Sequence, residues 1–276
     1  IAHNCLILKR YSEACEFFGQ LLAQLNNKPV DLQECRITSI PTLHKEFAEA
    51  LFNCDRWDDC LVVCEKILKQ ETVSNTLSKT LFSQDKAKLD TGKTLIDIML
   101  CKAVVLKELQ RPIEANECYE SILDAINNNY SESSGEQTNL DEPQQKKQKR
   151  EKGPTEQHLE NYIEMQKFKA LTLNKQSLLL SSLGRKKEAL LLLTQSISCE
   201  PDCLKYRFNH TKLLFDMGMD DVARKDWLKF RRIDQTTSSS DSKENFKLKD
   251  LPEDDEDRDL YLQMDSLALS RLSAKS

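Results

Sequence analysis

The chain has 276 residues and a formal net charge of −5, with 39% hydrophobic and 31% charged side chains. This acidic balance gives no global electrostatic reason to hold nucleic acid, so no direct nucleic-acid binding is expected. No apolar run approaches the roughly 18 residues of a membrane span, so no membrane partner is expected either.

Six glycines and seven prolines leave little punctuation. Long stretches rich in Leu, Ala, Lys and Glu favour helix interiors, and the expected fold is all-α. A truncated helical hairpin opens the chain on Ala2, Cys5, Ala14, Phe18 and Leu21. A second follows with Phe47, Ala48, Leu51, Cys60, Cys64 and Ile67, turning at Asp55-Arg56-Trp57. Met99, Ala103, Leu106, Ala115, Tyr119 and Ile122 mark a third. The polar stretch from Asn127 to about Gln157 lacks the apolar residues a core requires, and disorder is expected there.

The last two hairpins define the architecture. Gly184 to Gly218, Ala189 to Ala223 and Leu193 to Trp227 share one step, about 34 residues, the period of the tetratricopeptide helix-turn-helix repeat. In that register Leu173, Ser177, Leu180, Ala189, Leu193 and Ser196 fall where two helices interlock. Gly184 turns the chain, Pro201 ends the unit, and Gln176 is the misfit. The next unit supplies Leu214, Gly218, Ala223, Trp227 and Phe230. The packing set is therefore Ala115, Tyr119, Gly184, Ala189, Leu193, Gly218, Ala223 and Trp227. One such unit cannot bury its apolar face alone, so units stack into an α-solenoid. The expected division is 1–128 degenerate helical repeats, 129–158 a disordered polar and basic insertion, and 159–235 two regular repeats. A disordered acidic linker, 236–256, and a capping helix, 257–276, complete it; Leu260, Met264 and Leu267 recur there at helical spacing.

Few local patterns carry chemistry. Cys60 and Cys64, at i and i+4 with Cys54 nearby, have the spacing of two metal ligands. Small apolar residues are equally demanded at those repeat positions, and the four His form no ligand pair, so no metal and no cofactor are expected. Most of the ten Cys fall at apolar helical positions, where a free thiol behaves as a small hydrophobe; a reducing compartment follows. Gly92-Lys93-Thr94 resembles the end of a phosphate-binding loop, but Ala87 stands where the earlier glycine belongs and no strand precedes it. Asp90 or Thr91 reads instead as a helix cap. Ser83-Gln84 and Thr194-Gln195 match the minimal target of DNA-damage kinases, a dipeptide too common to decide anything. No nucleophile–base pattern is present, and an enzyme with a small-molecule substrate is not expected.

The basic run Lys146, Lys147, Lys149 and Arg150 reads either as a nuclear import signal or as solvated charge. First-helix positions facing the inside of a repeat stack supply Phe52, Leu100, Val104, Leu171, Leu178, Phe208 and Phe215, an apolar groove suited to an apolar or amphipathic segment. Chaperone-binding repeats grip a peptide carboxylate with Lys and Asn, and Val104 and Leu178 stand where Asn would be needed. The groove is open to a partner or to this chain's own insertions.

Beyond the repeat, the order of segments resembles the Fanconi anaemia group G family. The resemblance is carried by Phe47 to Leu68, Leu100 to Ala125, Ala170 to Pro201, the Trp227 region and Asp259-Leu260-Tyr261-Leu262, with an inserted loop in the same place. It implies a non-enzymatic subunit of the nuclear core complex, a ubiquitin ligase serving DNA interstrand crosslink repair, whose first partner is the group A protein. Localisation would be nuclear, with a cytoplasmic pool. The chain begins with Ile1, so a C-terminal fragment of a longer protein is expected. The competing expectation is a repeat adaptor of another assembly, a cochaperone, a transport subunit or a cell-cycle ligase scaffold.

Overall fold

The computed structural model of the chain describes residues 1–27, 39–70, 77, 80, 81, 83, 85–133 and 156–237. Their regular structure is helical throughout: α1 (Ala2–Ile7), α2 (Tyr11–Asn27), α3 (Ile40–Phe52), α4 (Trp57–Gln70), α5 (Lys86–Glu108), α6 (Pro112–Ser133), α7 (Glu156–Ser182), α8 (Lys186–Cys199), α9 (Leu204–Asp216) and α10 (Asp220–Thr237). Consecutive helices pair as five hairpins. The chain divides into two compact units, Ile1–Met165 and Gln166–Ser276.

Every hairpin turns by the same backbone device. Two residues past the first helix, or three after α3, stands a left-handed residue: Lys9 (φ 57°), Asp55 (φ 57°), Gln110 (φ 59°), Gly184 (φ 77°) and Gly218 (φ 72°). Its N–H bonds back three residues, and the next N–H bonds back five, from Arg10 to Cys5, Arg56 to Leu51, Arg111 to Leu106, Arg185 to Leu180 and Met219 to Leu214. This pair of bonds is the Schellman closure, which satisfies carbonyls a helix end would otherwise leave open. In four hairpins the residue following the left-handed position is an arginine whose Nε reaches the acid three positions on, Glu13, Asp59, Glu114 or Glu188, at 2.7–2.8 Å. The acid thereby sits in the first turn of the second helix, where the helix dipole favours negative charge. One residue later comes a fully buried small side chain: Ala14, Cys60, Ala115, Ala189 or Ala223. With no bulk there, the two helices approach closely.

Helices that follow longer connections start differently. The Ser39 side chain accepts from the Thr42 N–H ahead of α3, and Asp85 accepts from Ala87 ahead of α5. Asp85 is thus the cap of α5, while Asp90 and Thr91, read from sequence as caps, lie inside that helix. The Gly92-Lys93-Thr94 stretch is likewise mid-helix. A Cβ on Gly92 would stand 2.8 Å from Thr80 Oγ1 and 3.2 Å from the Leu81 backbone nitrogen, so this glycine serves close packing.

In the first unit α3 packs on α2, α4 and α5, and α5 on α4 and α6. In the second unit α9 packs on α8 and α10. Leu180, Ala189, Leu193 and Leu213 form a shared core there, and the Ser196 hydroxyl of α8 donates to the Ala170 carbonyl of α7 at 2.8 Å. Gly184, Gly218 and the buried Tyr119 and Trp227 occupy these turns and cores. Two expected boundaries move: α6 runs to Ser133 and α7 begins at Glu156, so both helices enter the segment 129–158 expected to be disordered. The remainder of that segment, and the expected linker and capping helix after 237, lie outside the described residues.

No atom lies within 4 Å of a Cβ built on Gly184, so a side chain there meets only backbone strain. Gly184→Ala is expected to lower stability by about 1–2 kcal/mol, and Gln110→Gly, which relieves the same strain, to raise it by up to about 1 kcal/mol. Urea midpoints of the two variants, moving in opposite directions, check this.

Candidate functional site

Among the first-helix positions expected to line a groove, burial separates two groups. Leu178 is 45% exposed, while Leu171 and Phe215 of the same unit are half-buried. In the first unit Val104 is half-buried, and Phe52, also half-buried, sets its ring edge against Trp57 with centroids 4.9 Å apart. Phe208 and Leu100 do not fit the expectation. Phe208 is only 2% exposed and turns its ring onto Trp227 at 6.4 Å, so it belongs to the core of the α9–α10 hairpin. Leu100 is buried at 5%. Repeat numbering marks where a side chain starts on its helix, but the neighbouring helix decides whether it is covered.

Polar side chains beside this face are already committed to one another. Asn209 donates to the Asn174 side-chain oxygen at 2.8 Å, and Asn174 is buried. The Asp226 carboxylate of α10 takes hydrogen bonds from His210 Nδ1 (2.8 Å) and from the Thr211 hydroxyl (2.6 Å), both on α9. Thr194 Oγ1 lies 3.4 Å from His210 Nε2, which completes a hydroxyl–imidazole–carboxylate order. That order is not a nucleophile site: Thr194 donates to the Leu190 carbonyl at 2.9 Å and sits mid-helix, where the surrounding backbone N–H groups are spent on the helix ladder rather than on an oxyanion. The network is a clasp between helices. Burial alone would push the Asp226 pKa up, but the hydrogen bonds from His210 and Thr211, helped by nearby positive charge, hold it below the usual carboxylate range.

The sulfur chemistry is concentrated elsewhere, in the first unit. Cys60 and Cys64 of α4 are joined by Cys101 of α5, and all three sulfurs lie within 4.8 Å of one another. Cys60 donates to the Ala48 carbonyl at 3.2 Å and stands 3.8 Å from the Cys101 sulfur. Cys54 is not part of this group: it pairs with Cys15, whose thiol burial first and Cys54 second push up to about 11. Cys101 was invisible to spacing arguments because it arrives from another helix. Lys146, Lys147, Lys149 and Arg150 lie outside the described residues.

No family model matches the chain. No curated protein matches it by sequence. Solved structures do: BtubC (BKLC) from P. vanneervenii, at 11% identity over 89% of this chain and 82% of that one, with a TM-score of 0.57; and MamA 41-end from Desulfovibrio magneticus RS-1, at 12% identity over 88% and 94%, with a TM-score of 0.52. A MamA RS-1 double mutant superposes similarly, at 12% identity over 87% and 93%, TM-score 0.51. At such identities the likeness shows the fold, an all-α tetratricopeptide-repeat solenoid. That fold is suited to a protein-interaction scaffold.

Two measurements check this site. Phe208→Asp is expected to cost about 3–5 kcal/mol by emptying the Trp227 contact and burying a charge, whereas Leu178→Asp should shift stability by no more than about 0.5 kcal/mol; thermal melts followed by circular dichroism separate them. For Asp226, a folded pKa below the unfolded value means that the unfolded chain takes up the proton first. Its stabilisation is therefore present above about pH 3.9 and lost as pH falls through the folded value. Between about pH 4 and pH 2 the wild-type urea midpoint should drop more steeply than that of Asp226→Asn.

Proposed function

We propose that the chain is a non-enzymatic scaffold subunit of the Fanconi anaemia core ubiquitin ligase complex, binding the group A protein in support of DNA interstrand crosslink repair. The generic part of this reading, a protein-interaction adaptor, rests on the repeat fold and on one observation above all. Leu178 is exposed on a first helix whose neighbouring polar groups, Asn174 and Asn209, are occupied with each other. An exposed apolar side chain one turn from a buried, hydrogen-bonded Asn174 suits an apolar or amphipathic segment of a protein partner. The specific part rests on the sequence resemblance, whose stretches span four of the five hairpins. It carries with it a nuclear localisation, for which Lys146, Lys147, Lys149 and Arg150 supply a candidate import signal.

The Asn174–Asn209 pairing also bears on the cochaperone alternative. Asn174 is buried against Asn209, and Leu178, one turn further along the same helix, stands where an amide would be needed to grip a peptide carboxylate.

Full-length protein carrying Leu178→Asp, whose fold is expected to persist, should lose co-purification of the group A protein by at least about tenfold, equivalent to about 1.4 kcal/mol. Cells expressing it should become sensitive to DNA crosslinkers. Affinity purification after crosslinker treatment that returns a transport, chaperone or cell-cycle assembly and no group A protein rejects the Fanconi reading and leaves the adaptor reading in place. The import signal is checked apart from any partner: the isolated basic segment fused to a reporter should carry it into the nucleus.

A further inference from the structure

The adaptor reading makes no use of the three converging thiols. Close packing does not require them either. The place of Cys60 in its hairpin is taken by Ala14, Ala115, Ala189 and Ala223 in the other four, so a methyl group serves there. The place of Cys64 is taken elsewhere by Phe18, Tyr119, Leu193 and Trp227, all large. Only in this hairpin does a small, soft donor stand at that point, and there the neighbouring helix presents a third sulfur. Cys60 and Cys64 are fully buried, while Cys101 is half-buried and open to exchange with solvent.

The ligating set is sulfur alone: His44 of the adjoining α3 is buried with its Nδ1 on the Ile40 carbonyl at 2.9 Å, and it does not join the three sulfurs, which lie within 4.8 Å of one another.

We propose that Cys60, Cys64 and Cys101 form a site for one soft d10 metal ion, zinc(II) or copper(I), which ties α4 of the second hairpin to α5 of the third. Thiolate sulfur selects these ions over hard cations. Copper(I) is satisfied by three sulfurs; zinc, which takes four donors, would complete its set with a solvent molecule. Binding involves no change of oxidation state: each coordinating thiol gives its proton to solvent as its sulfur donates a lone pair to the ion. Because each thiol must lose its proton to coordinate, uptake must strengthen as pH rises.

The test titrates the fully reduced, full-length chain with zinc(II) against a chromophoric chelator and, without oxygen, with copper(I). The wild type should bind one ion per chain. Cys101→Ala and Cys101→Ser should each weaken uptake at least 100-fold at unchanged helicity, while Cys118→Ala, a half-buried thiol outside the cluster, leaves it unaltered. Uptake by both Cys101 variants equal to that of the wild type overturns the proposal, as does a wild type that takes up neither ion.

Discussion

Within each hairpin two helices lie against one another because the chain reverses within about three residues, and that reversal depends on a single left-handed residue. Its φ of 57–77° in all five turns lets its own N–H and the next one reach back to the helix just completed. The second helix then starts at a fixed point relative to the first, which places the small residue of α2, α4, α6, α8 and α10 directly against the preceding helix. Everything else is downstream of this placement: Tyr119 and Trp227 are buried because they follow one turn later on the same face.

The same constraint explains which hairpins the sequence reveals. In the last two the left-handed residue is glycine and the repeat step is regular, so both signals are visible at once. In the first three it is Lys9, Asp55 or Gln110, none of which announces a positive φ, and connections of unequal length break the period. A signal survives nonetheless. Arg10, Arg56, Arg111 and Arg185 are each followed three residues later by Glu or Asp and four later by Ala or Cys, a pattern set by the N-terminal dipole and by close helix contact rather than by repeat length. The ends of α6 and α7 depart from the sequence expectation for a related reason: counting apolar residues detects a helix that packs, whereas a helix continues wherever backbone bonds and propensities allow.

Side-chain exposure was less legible than backbone. A repeat register places Leu178 and Phe208 on corresponding faces, yet one is exposed and the other is covered by Trp227, because coverage depends on the size of the residue opposite. The convergence of Cys101 on Cys60, at 41 residues' separation, leaves no local trace at all. Sequence spacing reports what one helix shows to one side; sites assembled from two helices become visible only once their packing is known.

The two units solve the problem of register by different means. In the second, Thr172, Ser177, Ser196 and Thr211 are buried with their hydroxyls bonded to Phe168, Asn174 and Ala170 carbonyls and to the Asp226 carboxylate. A slip of one helix against another would strand the interhelical members of this set in an apolar interior, at roughly 1–3 kcal/mol for each group left unsatisfied. Apolar contacts alone tolerate sliding, since one leucine resembles the next; directional bonds do not. In the first unit the central hairpins carry thiols instead, whose hydrogen bonds are weak, so α4 and α5 are held by shape more than by direction. A surface meant to receive a partner must keep its residues at fixed spacing, and directional bonds of this kind, which tie α7 to α8 and α9 to α10 in the second unit, hold such a spacing.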